Sequence, residues 1–408
     1  MRAQNEIRSD QMGQDRSPKR VATQEHGVEN GAPPFGANEM RLDGRQWGTV
    51  VLVFLILVLM VPSLWQRFER FETGPDYRIP YVLSRDYWLY SRRVQQVVGP
   101  NSIILLGDSV VWGEYVRPEG AWSAFLNQET HSTPQFINGG VNGLFPLALE
   151  GLVRHYASFP KTQKVLLHCN LLWMTSPQAD LSTAKEEHFN HARLVPQFSP
   201  KIPCYRADSN ERIGATLQNE IPFLAWGNHL QDAYFGQKSV PSWTLADDGG
   251  DPVQYPNTFR NPFSQISMTV PSAPLEDPLR GPTSPRHKPW STNTTGTTRF
   301  DWVPLESSLQ WAAFQRVTQL LRERGNELFV VVGPFNEHLL AADHRMAYGR
   351  IRDGATNWLG AEKISFIAPE PLPSLLYADA SHPLTDGYQL LAKRTVADIG
   401  FRRWAGVR

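Results

Sequence analysis

Ser102-Ile103-Ile104-Leu105-Leu106-Gly107-Asp108-Ser109-Val110-Val111-Trp112-Gly113 runs from an apolar stretch straight into a cluster of turn formers and out again into apolar residues. A short apolar run without alternation predicts a strand covered on both faces, as in a parallel sheet. Gly107-Asp108-Ser109 then ends it. The tripeptide is either an ordinary strand-to-helix turn, with Asp or Ser capping the helix, or a nucleophile elbow. An elbow would hold the Ser109 hydroxyl at the carboxyl edge of the sheet, where open α/β folds keep their active sites.

Outward from this stretch the same pattern recurs. Residues 135–137, 165–168, 328–332 and 364–367 also read as buried parallel strands. Helical periodicity falls at 85–98, 121–128, 147–159, 307–324, 344–359 and 386–399, with Ser84 as a cap and Gly99-Pro100 as a stop for the first. Strand–helix alternation predicts an α/β domain, a three-layer α/β/α arrangement around a five-stranded parallel sheet. No internal repeat is visible.

Residues 180–304 break the rhythm, with Pro at 241, 252, 256, 262, 271, 274, 278, 282, 285 and 289. Trp226, Trp243, Tyr255, Phe259, Phe263, Trp290 and Trp302 are too many aromatics for a free linker. An insertion packed on the domain is expected, as a binding loop or as structural elaboration.

The chain of 408 residues is 41% hydrophobic and 20% charged, a globular composition. Forty basic and forty acidic residues cancel, and no basic run interleaves with aromatics, so nucleic acid is excluded as a partner. Cys169 and Cys204 are the two cysteines, without Cys-x-x-Cys or metal-ligand spacing, so neither a metal nor a cofactor is expected. A disulfide between them stays open.

Residues 1–46 are polar and predict disorder. From Trp47 to Trp65 there is no charge, and at the helical rise the segment spans roughly 27 Å, close to a bilayer core. Trp at both ends suits the lipid–water boundary. A cleaved signal peptide would not follow so long a polar leader. Residues 47–65 therefore predict a single-pass anchor with the bilayer as partner, 66–99 a connector and leading helix, and 100–408 the α/β domain with its insertion. Arg41 and Arg45 on one side face Arg67, Arg70, Arg78 and Arg85 on the other. Long domains translocate largely regardless of charge, which favours the tail inside and the domain outside.

Three further segments stand at predicted strand ends. Asn138-Gly139-Gly140-Val141-Asn142-Gly143 is a tight turn or a Gly-rich edge that lets backbone N–H groups approach a ligand. His168-Cys169-Asn170 ends in a turn Asn or in an amide that can donate to a developing oxyanion. Asp379-Ala380-Ser381-His382-Pro383 precedes the last helix, beside the same sheet edge.

Together the four segments resemble the SGNH (GDSL) hydrolase superfamily, in order and in strand-end placement. The resemblance covers roughly residues 100–170 and 326–400. Gly107-Asp108-Ser109 matches its first block, Asn138-x-Gly140-x-x-Gly143 its second, Asn170 its third, and Asp379 with His382 its last. His168 stands where the family often has Gly, and Leu171 where it often has a second acid. The resemblance implies a flavodoxin-like fold, with Ser109 as nucleophile, His382 as base and Asp379 as its orienting acid. It also implies an oxyanion hole from Ser109, Gly143 and Asn170. Asp108 is expected to be structural.

Asn336 and His338, after the fourth strand, are expected either to touch substrate or to belong to an ordinary loop. Trp173 and Trp112 would line a pocket or the core. Expected activity is hydrolysis of acyl esters, acetyl in first place, on an extracytoplasmic glycan. An O-acyltransferase, a lysophospholipase and a non-catalytic carbohydrate-binding or scaffold protein are the alternatives.

Overall fold

The computed structural model describes residues 42–71, 73, 77–80, 83–245, 260–270, 287–292 and 296–407. Most of the expected disordered tail, Tyr255, Phe259 and the prolines at 252, 256, 271, 274, 278, 282 and 285 lie outside the described residues. The chain divides into two units, 1–54 and 55–408. The described part of the first is the start of helix α1 (Gly44–Phe68), which is long and apolar enough to cross a membrane. Everything below concerns the second.

In chain order that unit contains α2 (Tyr87–Val97), β1 (Ser102–Leu106), α3 (Ser109–Trp112), α4 (Trp122–Glu129), β2 (Gln135–Asn138), α5 (Pro146–His155) and β3 (Lys164–Cys169). The insertion follows with α6 (Ser209–Glu220), α7 (Pro222–Tyr234), α8 (Val240–Thr244) and α9 (Pro262–Gln265). The core resumes with α10 (Leu309–Glu323), β4 (Glu327–Val332), α11 (Ala342–Ala361), β5 (Ser365–Ile367), α12 (Thr385–Ala397) and α13 (Ile399–Ala405).

The fold is α/β with one all-parallel sheet in the order β2-β1-β3-β4-β5. Residues alternate between its two covered faces. Ile104, Leu106, Val165, Leu167, Val330 and Val332 meet α2, α5, α10 and α11. Ile103, Leu105, Phe136, Leu166, Phe329 and Val331 meet α4, α12 and α13. Each such fully buried side chain contributes about 1.5–3 kcal/mol relative to an exposed one, which explains the unbroken apolar runs. Strand order reverses at β1, whose neighbours are β2 on one side and β3 on the other. The crevice of such a sheet opens beyond the carboxyl ends of those strands. Leu106 pairs with Leu167, so the Asp108 and Asn170 loops emerge side by side.

Helix boundaries shift locally. Asp86, not Ser84, caps α2, its carboxylate accepting from Leu89 N. The helix expected over 386–399 is broken at Asp398, which caps α13 by accepting from Phe401 N. Within the insertion α6 starts at a capping box, Asp208 with Glu211, and α7 at Pro222. Trp226 and Trp302 pack against the main core. Cys169 and Cys204 are both buried free thiols, so the open disulfide is not formed.

Candidate active site

Where β1 ends, Gly107 is required by space. A Cβ there would lie 2.5 Å from Val111 Cγ2 and 3.0 Å from His168 Cβ. Asp108 caps the short helix α3, its carboxylate accepting from Val110 N at 3.0 Å. The chain turns so tightly that Gly113 N and Glu114 N both donate to the Ser109 carbonyl. Ser109 thus starts a helix at the sheet edge.

The second half of the site is a closed loop. Tyr377 bridges Pro383, Ala378 N donates to His382 O at 2.8 Å, and Leu384 N to Leu376 O at 2.7 Å. Asp379 Oδ1 accepts from the backbone N–H of Ser381 and of His382, each at 2.9 Å. The loop is tied to the elbow through α12, where the Tyr388 hydroxyl donates to Val110 O at 2.8 Å.

These elements bring three predicted residues together. His382 Nε2 lies 2.7 Å from Ser109 Oγ, and His382 Nδ1 lies 2.8 Å from both Asp379 oxygens. A carboxylate can only accept, so Nδ1 carries the proton and Nε2 offers its lone pair to the serine O–H. Ser109 is 9% and His382 7% exposed, so their contact is largely shielded from water. Burial opposes a charged His382, but the Asp379 carboxylate, helped by Asp108 and Glu114, outweighs it and raises the imidazole above its usual range. Burial likewise opposes the Asp379 anion, yet His382 and the two N–H donors hold its carboxyl below the usual value.

Asn170 is placed one hydrogen bond from the elbow. Its Nδ2 donates to Asp108 Oδ2 at 2.7 Å, and its Oδ1 accepts from Leu172 N at 3.0 Å. Asp108 is buried and also accepts from Trp173 Nε1 at 3.0 Å. His168 sits 3.5 Å from its other oxygen and bonds Gly333 O at 3.0 Å. Burial pushes the Asp108 carboxyl upward, but His168, His382 and Asn170 outweigh that and keep it low. Its partners bind β1, β3 and the β4 loop together, a structural use of the charge. His168 supplies this brace, and Leu171 joins the core.

Gly143 has φ 71°, a backbone that favours glycine, and a Cβ there would strike the Asn190 amide at 2.3 Å. It borders a cleft of about 230 Å³ whose walls include Phe145, Leu147, Leu181, Phe189 and Val195. Asn142 beside it donates to the Glu114 carboxylate. His191 holds the same loop. Its Nε2 meets Asn142 O at 2.8 Å and its Nδ1 the Tyr87 hydroxyl at 3.0 Å. The carbonyl must accept, so Nε2 donates and Nδ1 accepts from Tyr87, and burial lowers this imidazole to about 4, keeping it neutral.

Two of the candidate substrate residues turn inward. Trp173 is fully buried in the core with its N–H spent on Asp108. Asn336 is also fully buried, its Nδ2 donating to Asp379 O at 2.9 Å and its N to Ala380 O at 2.9 Å. Asn336 therefore positions the His382 loop. His338 meets Leu372 O at 3.0 Å. Trp112 is core, its N–H donating to Ile79 O.

Tyr115 and His287 were not visible as site residues in the sequence. The Tyr115 ring stands edge-on to His382 at 5.3 Å, and His287 from the insertion stacks on Tyr115 at 4.3 Å. Tyr115 has φ 65°, an uncommon conformation for an aromatic residue and one that clusters at functional sites. Among the described residues no group of three or more His, Cys, Asp or Glu is arranged to hold a metal ion. A scan against family models finds no match to this chain, and a search of curated proteins finds none either.

Proposed function

We propose that this chain is a serine esterase of SGNH type, anchored by α1, that cleaves acyl esters through an acyl-Ser109 intermediate. The observation that carries the proposal is the linked pair of contacts, 2.7 Å from Ser109 Oγ to His382 Nε2 and 2.8 Å from His382 Nδ1 to Asp379. The strand order, doubly wound about β1 and β3, supports the flavodoxin-like part of it.

Ser109 Oγ attacks the ester carbonyl as His382 Nε2 takes its proton, and Asp379 stabilises the resulting imidazolium. The oxyanion sits against the backbone N–H groups of Ser109 and Gly143 and the Asn170 amide, each such donor being worth roughly 3 kcal/mol in the transition state. His382 returns the proton to the departing alkoxide. Water, deprotonated by the same imidazole, then releases the acid and restores Ser109. The cleft beside Gly143 receives part of the substrate, and an exposed domain on a membrane anchor suits an extracytoplasmic glycan ester.

The test is turnover of 4-nitrophenyl acetate by the full chain in detergent. The parent is expected to release nitrophenolate and Ser109→Ala to fall to background; equal rates would leave a non-catalytic protein. A reporter joined after Arg408 is expected to be active only outside the cytoplasm, and cytoplasmic activity would reverse the orientation.

A further inference from the structure

Beside the carboxyl end of α1 the insertion builds an apolar collar. Arg70, just past the helix, pairs in parallel with Thr269, with Arg70 N donating to Met268 O at 2.9 Å and Val270 N to Arg70 O at 3.0 Å. This pairing brings α9 to the point where the chain leaves α1. Ala233, Tyr234 and Phe235 form a small buried cluster, against which pack Trp65 of that last turn, Val240 and Trp243 of α8 and Ile266 after α9. The Gln265 amide secures α9 by donating to Tyr234 O at 2.9 Å. The collar is therefore fixed to the stem.

Its outer side is apolar. Phe263 is 82%, Phe68 69% and Leu245 65% exposed. A soluble face would not gain from three large apolar side chains standing in water beside one another's elements; single exposed ones are ordinary, grouped ones mark an interaction surface. Charge on the same segments has one sign. Residues 235–245 and 260–270 contain Lys238 and Arg260 and no acid, and Arg67 and Arg70 flank them on the stem. The Arg260 guanidinium lies over the Trp243 ring at 5.2 Å. Aromatic and apolar tips ringed by cations are the composition of an interfacial membrane contact.

We infer that α8 and α9 form a second membrane contact, in which Leu245 and Phe263 insert among the lipids of the same leaflet that the last turn of α1 enters. The inference rests on α1 being the membrane anchor and not on the catalytic proposal. Continuity with α1 selects lipid over a protein partner, since Trp65 belongs both to the span and to the collar.

The experiment places an environment-sensitive fluorophore on single introduced cysteines in the full chain, reconstituted in phosphatidylcholine vesicles with and without lipids spin-labelled near the headgroup. Both native cysteines are fully buried, so the label goes to the introduced thiol. Leu245→Cys and Phe263→Cys are expected to shift to the blue and to be quenched by the spin-labelled lipid. Ile213→Cys, on α6 and 49% exposed, is expected to stay in water. Unquenched labels at 245 and 263, whether in water or shielded by a second copy or another protein, overturn the collar. Leu59→Cys, in α1, separates the two claims. A quenched label at 59 with unquenched labels at 245 and 263 leaves the anchor standing and removes the collar, while no quenching at 59 removes both. A circular dichroism spectrum and thermal melt matching the parent's show that each labelled chain is folded.

Discussion

Two histidines of this molecule, His382 and His229, are buried against carboxylates and use them in opposite ways. His382 spends Nδ1 on Asp379 and keeps Nε2 for the Ser109 hydroxyl. His229, in α7, meets a carboxylate on each nitrogen, Asp86 at 2.7 Å and Glu69 at 2.8 Å. Both its nitrogens must then donate, which fixes it as an imidazolium. Burial opposes that charge, but Asp86 and Glu69 override it and raise the group to about 9. Glu69 also accepts from Arg92, from Tyr234 and from Trp65 Nε1 at 3.0 Å. The cluster clasps the residue after α1 to α2 and α7. A histidine paired with one carboxylate can move a proton, and one paired with two is a rivet. What stands at the second nitrogen separates chemistry from structure.

Exchanging the two roles is the sharpest test of that contrast. Ser109→Ala is expected to lower turnover by roughly 10⁵–10⁶-fold, as loss of a triad nucleophile does, and to leave the thermal melt in place. His229→Ala is expected to do the reverse. Removing one member of a buried ion cluster typically costs about 3–5 kcal/mol, read as an earlier denaturant midpoint with turnover per folded molecule retained.

Next in size is the orienting acid. Asp379→Asn disturbs the proton on His382 Nδ1 and is expected to reduce kcat by up to about 10⁴-fold, measured by burst and steady-state kinetics. Asn170→Ala is expected to cost roughly 10²–10³-fold in kcat, together with a small loss of stability because Asp108 loses a donor.

The smallest expected effect is on pH, and here the two histidines separate by sign. Catalysis needs neutral His382, so kcat/KM falls as pH drops through its raised value, with the limb displaced above the ordinary 6.5. The clasp needs charged His229. Its contribution is complete below the unfolded value near 6.5 and is lost as pH rises through about 9. Melts across that window are expected to soften while kcat/KM rises through the His382 limb to its plateau; a melt flat from 6.5 to 9 would count against the clasp.

Much of this fold was legible because buried parallel strands are written as apolar runs, and 102–106, 328–332 and their partners lie within a residue of their places in the sheet. The triad was legible as strand-end blocks joined by resemblance. The direction of a side chain was not. Asn336 and Trp173 do stand at the sheet edge, yet both turn inward, and nothing in the residue type distinguishes that from facing a substrate. The α6–α7 pair was hidden by the surrounding prolines, although Asp208 with Glu211 was a readable start signal. Glu69, Asp86 and His229 are brought together only by tertiary packing. No local pattern marks them.

Labelling with a fluorophosphonate tests the central claim most directly, because it reports activation of Ser109 without requiring the natural ester. Intact-protein mass followed by peptide mapping is expected to find one adduct, on Ser109, in the parent and in folded His229→Ala. Ser109→Ala and His382→Ala are expected to take none. A folded parent that stays unlabelled, or an adduct on a residue other than Ser109, would contradict the account.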